Sequence, residues 1–313
     1  MTTENLKTII IGAGAWGTSL CFLLNRAGFE CEVWSRRAEK SLEEVVKDAD
    51  VIISAISMKG VVAVSQQLKE IGLKEKAIIV TATKGLDFET TLTPSQIWQE
   101  TFPNHAVIVL SGPNLSKEIK KGLPAATVLA SNDTEGAELV QSMFASDIFR
   151  VYVNNDPIGT ELGGTLKNVM AIASGVCDGL NLGTNAKAAL LTRALPEMIR
   201  VGTHLGASVE TFFGLSGLGD LLATCDSPLS RNYQVGMGLS QGKALEDILE
   251  NLEGTAEGVN TANVLIKLAH KEKIPVPISY QVYLLLKGKV SPVEAVENLM
   301  ERELKEEFWY LEF

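Results

Sequence analysis

KTIIIGAGAWGTSLCFLLNRA, residues 7–27, decides the fold. Lys7–Ile11 is a short β-branched run, Gly12-Ala13-Gly14-Ala15-Trp16-Gly17 follows it directly, and Thr18–Ala27 reads as a helix. A glycine triplet alone is weak evidence. Placed after a strand and opening a helix, it is the fingerprint of a dinucleotide-binding turn. Gly12 permits the tight turn, Gly14 lets the backbone approach a pyrophosphate, and Gly17 lets the helix pack on the strand. The free N–H groups and positive dipole end of the helix suit phosphate. The plainer alternative is a glycine-rich strand–helix turn that holds no ligand.

Cys31–Ser35 is a second strand that ends in Ser35-Arg36-Arg37. An NAD-specific site has Asp or Glu there, on the ribose 2′-hydroxyl. Two guanidiniums instead suit a 2′-phosphate, so NADP(H) is favoured over NAD(H); two solvated surface arginines are the alternative. Glu39–Asp48 and Gly60–Ile71 read as helices, and Asp50–Ile56, Ala77–Thr81, His105–Leu110, Ala125–Ala130 and Phe149–Val153 as strands. Alternating strands and helices predict an α/β, doubly wound Rossmann-like domain over 1–155. Lys84-Gly85 and Ser111-Gly112-Pro113-Asn114 follow strands where open parallel sheets bind ligands. Residues 156–313 read as an all-α domain, with glycine-rich turns at Gly214–Asp220 and Glu253–Gly258, and Ser230 as a helix cap. Pro275 and Pro277 close a helix near Lys273, and a last helix spans Ser291–Glu307.

The 313 residues carry 28 Lys+Arg against 38 Asp+Glu, a net charge of −10, which argues against nucleic-acid binding. Cys21, Cys31, Cys177 and Cys225 have no CxxC spacing and read as buried, reduced thiols. The scattered histidines form no metal-ligand pattern. With no signal-like N-terminus and no apolar run of transmembrane length, a cytoplasmic protein without membrane insertion is expected.

Glu161–Arg193 reads as helix, broken near Asn181–Asn185, with Lys167 deep in its first half. Ala171, Ser174, Gly175 and Asp178 share its face and are nearly all small, leaving room for a ligand. Two readings of Lys167 stand at this point: a snorkelling side chain, or a catalytic ammonium whose burial eases release of its proton. Lys84 would ease it further by like-charge repulsion. Since no histidine lies in a motif, Lys167 is the candidate proton donor for a carbonyl.

The chain resembles the bacterial NAD(P)-dependent glycerol-3-phosphate dehydrogenase family over nearly its whole length. The resemblance is carried by GAGAWGT (12–18), KGL (84–86), SGPNLSKEIKKGLPAA (111–126), ELGGTLKNVMAIASG (161–175), GTNAKAALLTR (183–193), GLSGLGD (214–220) and SRN (230–232). It implies reversible reduction of dihydroxyacetone phosphate to sn-glycerol 3-phosphate, the glycerophospholipid precursor, with NADPH preferred and NADH usable. It implies Lys167 as proton donor and acceptor, and Lys84, Gly112, Asp220, Ser230, Arg231 and Asn232 as substrate contacts. Gly12, Gly14, Ala15, Trp16, Gly17, Arg36, Arg37, Lys84, Arg231 and Glu257 would touch the cofactor. No metal is implied, and a homodimer is one expected assembly. Family members usually carry a longer, Asn/Arg-rich segment after the second strand; here AEKSLEEVVKDADVII follows Arg37. The excision leaves strand, short helix and strand, so the fold should survive without that segment's contacts. A β-hydroxyacid dehydrogenase-like reductase and a non-enzymatic NADP(H)-binding regulator are the competing readings. The plain role for Lys84 is an exposed loop lysine, and for Asp220 a helix cap.

Overall fold

A computed structural model describes residues 6–304 and 306–307. The chain divides into two compact units, Met1–Glu161 and Leu162–Phe313. The first carries β1 (Thr8–Ile11), α1 (Ala15–Arg26), β2 (Cys31–Trp34), α2 (Leu42–Val46), β3 (Val51–Ser54), α3 (Met58–Ile71), β4 (Ile78–Thr81), α4 (Pro94–Thr101), β5 (Val107–Ser111), α5 (Ser116–Ile119), β6 (Ala125–Ala130), α6 (Thr134–Phe144) and β7 (Phe149–Asn154). These strands form one seven-stranded sheet in the order β2-β1-β3-β4-β5-β6-β7. The chain leaves β1 for β2 on one side and returns to β3 on the other. That reversal opens a crevice at the carboxyl end of β1, where such sheets bind ligands.

Both faces of the sheet are covered. Ile10, Ile53, Val80 and Ile108 pack into one apolar cluster, and Ile9, Ile52, Ile79 and Val107 into another. This is why the strands read as continuous apolar runs and not as alternating ones. One departure from a parallel sheet is that β6 pairs antiparallel to β5. The stretch after Arg37 closes through α2, whose N-cap Ser41 and Glu44 form a reciprocal capping box.

Two of the four cysteines are not the reduced thiols expected. Cys21 on α1 and Cys31 at the start of β2 form a disulfide, and both are partly exposed. α1 packs on β2 and brings their Cα atoms to 6.1 Å. Only that packing joins them, since a spacing of ten residues carries no disulfide signal. Cys177 and Cys225 are free and buried, as expected.

α7 (Pro157–Gly179) leads out of the sheet. The second unit continues with α8 (Gly183–His204), α9 (Val209–Phe213), a π-helical turn (Leu215–Gly219), α10 (Asp220–Cys225), α11 (Arg231–Ser240), α12 (Leu245–Glu250), α13 (Glu257–Glu272), α14 (Pro277–Leu286) and α15 (Pro292–Met300). No strand occurs in it among the described residues. α7 and α8 are parted by Asn181, in the left-handed region at φ 54. The closing helix is shorter than the expected Ser291–Glu307: it ends at Met300, and Lys305 lies outside the described residues. The expected turn at Gly214–Asp220 is instead helical. A Cβ at Gly217 would stand 2.1 Å from the Phe212 carbonyl oxygen, and one at Gly163 2.7 Å from that of Ser216. Glycine serves close packing there.

Within the first unit, the start of α7 is tied to α4. Glu161, 1% exposed, accepts hydrogen bonds from the backbone N–H of Ser95 at 2.9 Å and from its hydroxyl. Pro94 opens α4 without an N–H, so Glu161 takes the first orphan donor of that helix. Glu197 does the same for α14 behind Pro277, receiving Ile278 and Ser279 N–H at 2.8 Å each.

Burial raises the Glu161 carboxyl more than its bonds with Ser95 and Thr93 lower it, and the balance carries it from 4.5 up to about 7. The folded chain thus keeps a proton that the unfolded chain releases. This contribution to stability is complete below about pH 4.5 and is lost as pH rises through about 7. Glu161→Gln removes the titration. The unfolding free energy of the variant relative to the parent should therefore rise by on the order of 3 kcal/mol between pH 4.5 and 8. Denaturant titrations across that range measure it, and a pH-independent difference would mean that the carboxylate stays ionised when folded.

Candidate active site

In the first unit, the turn after β1 is held by backbone. Gly12 donates its N–H to the Trp34 carbonyl at 2.8 Å and sits at φ 121. A Cβ there would lie 2.4 Å from the Ala55 carbonyl oxygen, and one on Gly17 would lie 1.8 Å from that of Gly12. The fold itself demands both glycines. Gly14 differs: its φ is −74, and a Cβ would meet nothing within 4 Å. It is the N-cap of α1, exposed, with no side-chain cap on the first N–H groups. Trp16 fastens this turn to the end of β4, its indole N–H reaching the Ala82 carbonyl at 3.2 Å.

Lys84 stands just beyond β4, half-buried, with Nζ on the Gly112 carbonyl at 3.2 Å. Gly112, at φ 153, follows β5, which neighbours β4 in the sheet. Beside it Asn114 donates to the Thr127 hydroxyl at 3.0 Å, and its buried Oδ1 accepts no hydrogen bond among the described residues. Arg36 and Arg37 are exposed in the turn after β2, Arg37 N–H resting on the Ser35 hydroxyl at 3.3 Å. Neither is committed to an acidic partner by any ion pair of the described residues.

In the second unit, one face of α7 organises the rest. Lys167 is 7% exposed and Asp220 2% exposed. The Lys167 ammonium donates to the Thr224 hydroxyl at 2.6 Å and pairs with Asp220 Oδ1 at 3.0 Å. The Thr224 hydroxyl in turn donates to Asp220 Oδ1 at 3.1 Å. The snorkelling reading of Lys167 fails here, because the ammonium ends in the interior. Its burial is compensated by a carboxylate, as a buried charge requires. The capping alternative for Asp220 fails too: Gly219 is the N-cap of α10, and the Asp220 side chain turns to Lys167.

Further along α7, Asn168 accepts from the Asn232 amide at 2.9 Å, and the Asn232 oxygen accepts the Gly258 N–H at 2.9 Å. That link anchors the start of α13, where Glu257 is the first helical residue. A Cβ on Gly175 would lie 2.1 Å from the Tyr233 carbonyl oxygen, and one on Gly236 2.0 Å from that of Ile172, so α7 and α11 touch backbone to backbone. Ser230 caps α11, accepting the Tyr233 N–H. Arg231 is exposed, its guanidinium lying where a Cβ on Gly254 would come within 2.6 Å of it. Thr224 and Asn168 belong to this cluster and were missed in the sequence. The signals for them were adjacency to Lys167 for Asn168, and a place one helical turn after Asp220 for Thr224.

A dinucleotide turn at a sheet crevice, and a buried lysine–carboxylate–hydroxyl cluster in an all-helical unit, define a nicotinamide-dependent oxidoreductase. The comparisons narrow this. A family model described as NAD-dependent glycerol-3-phosphate dehydrogenase N-terminus matches residues 37–137, and its C-terminus counterpart matches residues 156–297. The chain belongs to the NAD-dependent glycerol-3-phosphate dehydrogenase family. A glycerol-3-phosphate dehydrogenase (NAD(P)+) of Synechocystis is 65% identical over 302 residues, 96% of this chain and 95% of that one. The crystal structure of glycerol-3-phosphate dehydrogenase from Coxiella burnetii superposes with a TM-score of 0.91 at 32% identity, covering 95% of this chain and 99% of that one. A ketopantoate reductase of Staphylococcus aureus, with a TM-score of 0.57 and 18% identity over 91% of this chain and 98% of its own, shares the fold alone. Among the described residues, no helix is long and apolar enough to cross a membrane.

Proposed function

We infer that this chain reduces dihydroxyacetone phosphate to sn-glycerol 3-phosphate with NADPH or NADH, reversibly. The observation that carries the mechanism is the buried Lys167 ammonium, bonded to Thr224 and Asp220, in a chain of this family.

The residues present fit the cofactor. Neither φ nor packing requires glycine at position 14, so close approach of a pyrophosphate to bare backbone is what accounts for it. Gly12, Gly14, Ala15, Trp16 and Gly17 hold that end, Arg36 and Arg37 the adenosine end, and Lys84, Arg231 and Glu257 make further contacts. When bound, the nicotinamide supplies the hydride. Lys167 gives a proton to the carbonyl oxygen in reduction and takes it back in oxidation. Thr224 and Asp220 fix the direction of its ammonium and balance its charge. Ser230, Arg231 and Asn232, on the first turn of a ten-residue helix, offer a hydroxyl, a guanidinium fork and an amide to the substrate phosphate. Lys84 and Gly112 complete the substrate contacts.

Residues 1–155 take the cofactor-binding role and 156–313 the substrate-binding and catalytic role. We place the protein in the cytoplasm, with the reduced nicotinamide pool, where its product feeds glycerophospholipid synthesis. A homodimer is the proposed assembly, supported by large apolar side chains that the second unit leaves exposed, Phe213 and Tyr280 among them.

Initial rates with dihydroxyacetone phosphate and each reduced cofactor test the reading. Turnover of hydroxy- or oxoacids with none of the triose phosphate would overturn it. NADPH should give the higher kcat/KM. Replacing Arg36 and Arg37 by alanine should weaken NADPH by about 1.5–3 kcal/mol for each charge-assisted hydrogen bond removed, and leave NADH nearly unchanged. Equal losses for both cofactors would mean that these arginines do not read a 2′-phosphate.

A further inference from the structure

A second polar cluster in the helical unit lies outside every residue assigned above. Lys187, in the second turn of α8, has a side chain only 17% exposed, and its ammonium reaches Asp178 at 2.7 Å and Asp226 at 2.8 Å. The Tyr233 hydroxyl donates to the same Asp178 oxygen at 2.7 Å, and the Lys187 ammonium stands 5.7 Å from the centre of the Tyr233 ring. The four residues come from four separate pieces: the end of α7, the start of α8, the C-cap of α10 and the first turn of α11.

We propose that Lys187 is a positioning residue, the hub of a latch that fixes the α10–α11 connection and through it the direction of Arg231. The inference rests on the reading of Arg231 as a phosphate contact. Among the described residues, the other hydrogen bonds of the short connection Asp226–Ser230 stay within it or run to the helices on either side. Ser227 turns it, with its carbonyl taking the Ser230 N–H at 3.0 Å, and Gln234 grips the Pro228 carbonyl at 2.7 Å. Asp226 fastens one end of the connection to Lys187. At the other end, the Ser230 hydroxyl receives the Tyr233 N–H, and Tyr233 is fastened through Asp178. Arg231 lies inside this span, two residues before Tyr233. Its own side chain is exposed, so its aim depends on the turn that bears it.

Stability alone does not account for the Asp226 arm of the cluster. Asp226 is 81% exposed, and an ion pair to so exposed a carboxylate adds little. Burial by itself would disfavour the Lys187 ammonium, yet the bonds to Asp178 and Asp226 outweigh it and hold the group charged. The Tyr233 hydroxyl is pushed up to about 12, by burial first and by its bond to Asp178 next, so it remains a donor. The latch therefore stays closed over the ordinary working range of pH.

The test uses the full chain with Lys187→Met, Lys187→Arg and Tyr233→Phe. Steady-state kinetics are run on dihydroxyacetone phosphate, on dihydroxyacetone, which has no phosphate, and on NADPH, with a melting curve for each variant. Lys187→Met should raise KM for dihydroxyacetone phosphate by on the order of tenfold, since displacing a positioning group by about an ångström is that costly or more. Turnover of dihydroxyacetone at saturating NADPH should stay close to the parent, and KM for NADPH, which Arg231 also contacts, should rise by less than KM for dihydroxyacetone phosphate. Lys187→Arg should recover most of the loss, because a guanidinium reaches both carboxylates. Tyr233→Phe, which removes a single hydroxyl and folds even if Lys187→Met does not, should raise the same KM by less. An unchanged KM in Lys187→Met and Tyr233→Phe overturns the proposal. So does an equal loss on the two ketones, or a fall in kcat that arginine does not restore. If the parent chain itself fails to turn over dihydroxyacetone phosphate, it is the functional reading that falls, and the latch with it.

Discussion

Lys167→Ala lowers kcat by a factor on the order of 10²–10⁴, the usual size of one acid–base group. The reason is the position of the ammonium. It is 7% exposed and held at 2.6 Å from the Thr224 hydroxyl and 3.0 Å from Asp220, so water does not readily replace it. The affinity for NADPH should hardly change, because the role proposed for the lysine is at the carbonyl. The substitution also leaves the Asp220 carboxylate, 2% exposed, without its lysine. Removing one member of a buried pair costs on the order of 3–5 kcal/mol of stability. The double variant Lys167→Ala/Asp220→Asn separates the two effects: stability should return in part and turnover should not. Near-normal kcat at saturating substrate in the single variant would place the proton donor elsewhere.

The second large effect falls on the substrate phosphate. In a chain of net charge −10, a phosphate dianion must be held by fixed local donors. Ser230-Arg231-Asn232 stands at the N-terminus of α11, where Ser230 takes the Tyr233 N–H and Asn232 is locked between Asn168 and the Gly258 N–H. Arg231 is the adjustable member, and its guanidinium lies against Gly254, at φ 96, where a side chain would intrude. Arg231→Ala should raise KM for dihydroxyacetone phosphate by about 10- to 100-fold, the equivalent of about 1.5–3 kcal/mol. Arg231→Lys should already be damaging despite its unchanged charge, because an ammonium does not meet two phosphate oxygens at once. Some loss of kcat should accompany it, since phosphate binding energy also places the carbonyl. At saturating NADPH, dihydroxyacetone, however poor, should react equally well with parent and variant. A normal KM in both variants would assign the phosphate to other residues.

Much of the first unit was legible because its signals are local. Thr8–Ile11 ends at glycines whose roles follow from turn geometry, and Ala125–Ala130 is bounded as expected. The direction of that strand was not legible: a run buried on both faces reads the same parallel or antiparallel, and only its pairing with β5 decides. Helix starts were misjudged where glycine intervened. α1 begins at Ala15, within the glycine motif, because Gly17 is needed for close approach to the turn and not for breaking the helix. The Cys21–Cys31 link depends on α1 packing over β2, which spacing does not encode.

In the helical unit, Lys167 was visible as a charge out of place in a small, apolar run, and Ser230 as a cap. What surrounds them was not visible. Thr224 looks like any helical threonine until Asp220, one turn earlier, is seen to face the same ammonium. Lys187, Asp178, Asp226 and Tyr233 each read as an ordinary polar residue, and only tertiary packing assembles them.

Hydride reduction of a phosphorylated ketone is the activity proposed for this chain. Its most direct test is incubation with dihydroxyacetone phosphate and NADPH fully deuterated at the nicotinamide C4, with the product followed by NMR and mass spectrometry. The expected product is sn-glycerol 3-phosphate carrying one deuterium, on its C2, in step with oxidation of the cofactor. Product without deuterium, or no oxidation of NADPH or NADH in the presence of the triose phosphate, would contradict it.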